Sequence, residues 1–101
     1  MRVVFTPGAQ AQLQAIHDYI ARDDRITARA VIARVEYVAS LLGENPGMGR
    51  RLERGRLRRL PVRPYPYLIF YEVVAQTVRV IRVRHAARRP TFHEPVPIFA
   101  R

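Results

Sequence analysis

Tyr67 to Val74 reads YLIFYEVV, an eight-residue apolar run broken by one charge, Glu72. A run that short, built from aromatic and β-branched side chains, fits a strand covered on both faces. Such a strand belongs at the centre of a sheet, so the rest of the chain must supply neighbours on both sides. The next segment, VRVIRVRH from Val78 to His85, follows after the tight connection Ala75-Gln76-Thr77 and reads as the partner strand of a hairpin. Its alternation slips: Val78 and Val80 share one parity, and Ile81, Val83 and His85 share the other. Either a bulge lies near Val80–Ile81 or both faces are partly covered there.

The remaining elements fall around this hairpin. Arg2 to Phe5 reads as a short first strand. Thr6 can cap a helix whose first position is Pro7. Ala9, Leu13, Ile16 and Ile20 recur at helical spacing, with Gln10, Gln12, Gln14 and Asp18 off that face. Asp23 or Asp24 can cap a second helix. There Ala28, Val31, Ile32, Val35, Val38, Ala39 and Leu42 keep the 3.6-residue period until Gly43 and the ENPGMG breakers. Leu57 to Arg63 reads as a strand held to an edge, or ended early, by Pro61, Pro64 and Pro66. The predicted order is β-α-α-β-β-β. That makes an α+β fold with an antiparallel two-helix hairpin on one face of a mostly antiparallel, twisted sheet. The domain is expected to span residues 1–90, followed by an extended, proline-containing tail over 91–101.

Charge is the second constraint. All 18 basic residues are arginine, against 8 acidic ones, for a net charge of +10. Arginine forks suit phosphate and carboxylate, so the balance points to a polyanion or to an acidic protein partner alike. No cysteine is present, which excludes a disulfide framework and Cys-based zinc sites. The first residues carry no signal-peptide core and no segment has the length of a membrane span, so a cytoplasmic protein with no membrane contact is expected.

With these elements in place, the order of elements, the NPGMGRR turn after the second helix, PYLIFYEV as central strand and VRVIRVRHAARRP as its partner resemble the RelE/ParE superfamily of type II toxin–antitoxin toxins. The resemblance runs from Phe5 to about Pro90, and Tyr67–Arg88 is its most specific part. It implies one of two activities: ribosome-dependent mRNA cleavage in RelE-like members, or poisoning of DNA gyrase without nuclease chemistry in ParE-like ones. It also implies a hetero-oligomeric complex with a cognate acidic antitoxin, ParD-like or RelB-like. RelE-like nucleases carry an arginine directly after the aromatic that aligns with Tyr67, where this chain has Leu68. On the preceding strand Arg59 matches one of their basic positions and Pro61 stands at the next. Arg88 matches their arginine beyond the last strand, and Pro90 and Pro95 oppose their closing helix with its aromatic. The pattern leans to the ParE-like branch, with gyrase as target and no cofactor or metal.

Candidate residues follow from this reading. Arg58, Arg59 and Arg63 before the central strand, and Arg79, Arg82, Arg84, Arg88 and Arg89 after it, are the expected target or antitoxin interface. Were the chain a nuclease, cleavage through a 2′-hydroxyl would need a base beside cations. Arginine, with its pKa above 12, supplies only the second. His85 is then the base candidate, acting with Arg88, Arg63 and Arg59. Ser40 sits mid-helix beside core residues and is not read as a nucleophile, and His17, beside the first helix's apolar stripe, is read as packing. His93 and Glu94 fall in the tail. A third reading is a nontoxic basic module that only binds an acidic protein.

Overall fold

The YLIFYEVV segment is β4 (Tyr67–Val74) of the computed structural model, which describes residues 1–87. It occupies the centre of a five-stranded sheet with β1 (Arg2–Phe5), β2 (Arg50–Arg51), β3 (Arg58–Val62) and β5 (Thr77–His85) in the order β1-β5-β4-β3-β2. β4 runs antiparallel to β3 and β5, and β1 joins β5 in parallel. Helices α1 (Pro7–Ala21) and α2 (Arg25–Leu41) form a hairpin on one face. The expected α+β architecture is therefore present, with a fifth strand, β2, that the sequence pattern did not announce. Its two arginines carry no apolar alternation to read.

Local chemistry accounts for the boundaries. The Thr6 hydroxyl accepts from the Ala9 amide at 3.2 Å, with Pro7 in the first turn, where its missing N–H costs nothing. The Asp24 carboxylate accepts from the Thr27 amide at 3.0 Å and starts α2. Two hydrogen bonds at the cap hold the Asp24 carboxyl below its ordinary value: the Thr27 hydroxyl first, then the Thr27 amide. Pro61 is tolerated in β3 because β2 pairs only Arg58 and Arg59, leaving the outer edge open from Leu60 onward.

The bulge is real. Tyr71 pairs with Val80 and Phe70 with Arg82, so Ile81 is the extra residue. The bulge keeps Val78, Val80 and Val83 all on the helix side, where they are at most 2% exposed. They pack with Ile69 and Tyr71 of β4, Val62 of β3, and Val31, Val35, Val38 and Leu42 from α2 and its C-cap. Each such side chain contributes roughly 1.5–3 kcal/mol of burial. On the other face of β4, Leu68 is buried but Phe70 and Glu72 are only half-covered. Two-sided burial thus holds for the first part of the strand, not its whole length.

Candidate functional site

Side-chain alternation sorts the predicted arginines. Residues facing Leu68 and Phe70 across the sheet lie on the side without helices: Arg59 opposite Phe70 on β3, and Arg82 and Arg84 opposite Phe70 and Leu68 on β5. These three bring the two arginine runs onto one surface, although β4 separates β3 from β5. The Arg84 guanidinium lies 5.2 Å from the Phe70 ring centroid. Burial, and then the Arg84 charge, pulls the Arg82 guanidinium down to about 10. Burial, and then Arg59, lowers Arg84 as well. Even at about 10, Arg82 is cationic at neutral pH, so the surface is a cluster of like charges partly withdrawn from water.

The other predicted arginines do different work. Arg79 shares this face but donates to Glu72 across the strands at 2.6 Å, which neutralises both. Arg58 points to the loop before β2, where its Nη1 donates to the Gly49 carbonyl at 2.8 Å. Arg63 sits in the β3–β4 turn, where its carbonyl accepts from Arg34 Nε at 2.6 Å. Arg58 and Arg63 thus do not converge with Arg59, Arg82 and Arg84, and Arg79 shares their face only as half of an ion pair. Arg88, Arg89, His93, Glu94, Pro90, Pro95 and the tail over 91–101 lie outside the described residues.

His85 is placed apart from the cluster. It opposes Tyr67, whose ring is in the core, and meets it edge-on with centroids 5.3 Å apart. Its Nδ1 accepts from the Ala87 amide at 3.0 Å. The base candidate therefore stands on the helix side, while Arg59 stands on the other. Among the described residues, the strand positions on the arginine face include no histidine, and their one carboxylate, Glu72, is held by Arg79. Such a surface can bind an anion. His17, half-buried, pairs with the adjacent Asp18 at 3.1 Å, and the Ser40 hydroxyl, exposed rather than packed, donates to the Tyr37 carbonyl at 2.6 Å.

Three further features escaped the pattern reading. Tyr71, fully buried, accepts from the Gly49 amide at 2.8 Å and donates to the Pro46 carbonyl at 2.7 Å, tying the NPGMGRR loop to the central strand. Gly49 is needed there because a Cβ would meet the Tyr71 ring and hydroxyl at 2.7 Å. Gln12 reaches β5, where its Oε1 accepts from the Val83 amide at 2.8 Å, just past the end of β1. Apolar periodicity cannot find such contacts, because the recruited group is polar or its partner is distant in the chain. The third is a recess beside Arg82, lined by Leu52, Leu57, Phe70 and Ile81. The parity slip at Ile81 was its one visible signal.

Comparison with known proteins agrees with this architecture. A family model described as "ParE toxin of type II toxin-antitoxin system, parDE" matches residues 3–90. Toxin RelE2 of Caulobacter vibrioides is 42% identical over 87 residues, covering 86% of this chain and 97% of that one. Protein Y4kP of Sinorhizobium fredii is 33% identical over 85 residues, covering 84% and 88%. Among solved structures, a chain from the chromosomal ParDE TA system of P. aeruginosa has a TM-score of 0.74. It covers 84% of this chain and 95% of its own at 24% identity, a likeness of fold. With the family model spanning nearly all of the described fold, the chain belongs to the ParE toxin family of type II toxin–antitoxin systems, within the RelE/ParE superfamily.

Proposed function

We propose that this toxin acts by binding DNA gyrase and breaks no bond itself, and that a cognate acidic antitoxin, ParD-like or RelB-like, neutralises it. The observation that carries this reading is the separation, among the described residues, of three cations from the base candidate His85. Arg59, Arg82 and Arg84 share the helix-free face, whereas His85 packs against Tyr67 on the opposite face. Leu68 and Pro61, where nucleases of the superfamily are basic, lie on the arginine face as apolar residues. An acidic antitoxin fits a chain of net charge +10 whose second sheet face is only partly covered. The name of the P. aeruginosa neighbour, a ParDE system, supports such a partner.

The test is a plasmid supercoiling assay with purified gyrase, run beside a translation reaction probed for cleaved mRNA. Lost supercoiling, with linear DNA released on denaturing gyrase and transcripts intact, is the expected result. Intact supercoiling with mRNA cut in the ribosomal A site, abolished by Arg88→Ala, overturns it in favour of the nuclease. No effect in either reaction, from folded protein, leaves the nontoxic binding module.

A further inference from the structure

Helix α2 carries two apolar stripes. One, of Ala28, Val31, Val35, Val38 and Ala39, is buried in the core. The other is Ile26, Ala30, Ala33 and Tyr37, and all four are exposed. At 3.6 residues per turn they fall within a band of about 60° that faces away from the buried stripe. Ile26 is 83% exposed, the most of any large apolar side chain among the described residues. Tyr37 is 53% exposed, although the Arg34 guanidinium lies over its ring, 5.3 Å from the centroid. Spacings of four, three and four residues, with alanines between larger ends, make a seam along which two helices pack closely. Arg29 and Glu36 flank the seam on one side, and among the described residues neither has an ion-pair partner within the chain.

From this pattern we infer that the exposed face of α2 packs antiparallel against α2 of a second copy of this chain. That register sets Ile26 against Tyr37 of the other copy and Ala30 against its Ala33, and a twofold axis repeats both contacts. It also brings Arg29 beside Glu36 of the other copy, twice, so the flank is complementary to itself. Parallel helices would instead set Arg29 against Arg34, two like charges. Net charge favours the same layer. Between Pro7 and Leu41 four arginines meet four carboxylates, a balanced stretch in a chain of net charge +10. Two copies can therefore approach through their helices, whereas their arginine-bearing sheet faces repel. A nucleic acid gains no counterion release from a flank of mixed sign, which leaves the second copy as the occupant that the charges fit. The seam runs for about three turns, so the interface is small and the dimer belongs in the micromolar range. The inference stands apart from the proposed target.

The test is sedimentation equilibrium of the full chain through the micromolar range, at about 0.15 M salt. A reversible monomer–dimer equilibrium is expected. Ile26→Asp should weaken it about tenfold or more with helix content unchanged by circular dichroism. Tyr37→Gln, at the other end of the seam, serves where Ile26→Asp disturbs the helix. Arg29→Glu and Glu36→Arg should each weaken the dimer about tenfold, because each sets two like-charged pairs across the seam. Net charge alone would act differently, strengthening association in the first variant and weakening it in the second. The double variant Arg29→Glu/Glu36→Arg exchanges the signs and should restore the dimer. A chain that stays monomeric throughout the range overturns the inference. So does a dimer indifferent to both Ile26→Asp and Tyr37→Gln, or one that the double variant fails to restore.

Discussion

At Arg82 function and stability pull apart. Its guanidinium is lowered to about 10 by burial and by Arg84, so the folded state carries an unfavourable charge at every pH below that value. Because the folded pKa is depressed, stability from this group returns only as pH rises through about 10 toward the unfolded value. Arg82→Met should therefore stabilise the isolated protein by about 1 kcal/mol at neutral pH, allowing for solvent screening of a half-exposed group. Urea titration at neutral pH and above 10 should show that advantage shrinking in alkali, with partner binding lost throughout. Tyr71 has the opposite sense. Burial raises its hydroxyl above the ordinary value, so its contribution is complete below about pH 10 and is lost as pH climbs through the raised value. Tyr71→Phe leaves the Gly49 amide without its partner and should cost roughly 1–3 kcal/mol in the same titration. A cost under a few tenths would show that this bond does not hold the loop.

Among the elements, the hairpin β4–β5 was the most legible, because YLIFYEVV and VRVIRVRH state their own periodicity. Both helices were readable for the same reason, with Thr6 and Asp24 marking their starts. β2 was not, since Arg50 and Arg51 are placed by the Tyr71 hydroxyl and by Arg58, contacts made across more than 20 residues in the first case. Of the site, the sequence located the arginines and a slip at Ile81 but carried no sign that Glu72 would neutralise Arg79. Parity alone left undecided whether His85 would face the helices. The turn joining β4 to β5 breaks a local rule: Ala75 and Gln76 adopt φ of 50° and 62° without a glycine. Replacing the pair by Asn-Gly should raise stability by about 1–2 kcal/mol and leave partner binding unchanged, read by thermal melting beside the supercoiling assay. At the start of α2, the low Asp24 pKa means a stabilising cap above about pH 4 that fails as pH falls through the folded value. Asp24→Asn caps without a charge and should blunt this acid-induced loss of helix, followed by circular dichroism.

Considered whole, the molecule holds a net charge of +10, which destabilises the compact state by self-repulsion. Its melting temperature should climb between about 0.01 and about 0.1 M salt, as the Debye length shrinks from ~30 to ~10 Å. A flat response would mean that the arginines are locally compensated. The two ends of the sheet are treated differently: β2 and the prolines blunt one, while β1 stops at Phe5 and, among the described residues, no strand pairs with β5 beyond Val80 on that side. Past Phe5, Thr6 donates to the Val80 and Ile81 carbonyls, and Gln12 follows by accepting from the Val83 amide. A bare strand margin is a template on which copies of a protein stack into aggregates. One glutamine from a helix therefore acts as a stopper against self-templating: with Gln12→Leu that rung lies open, and the chain should become harder to keep in solution at high concentration.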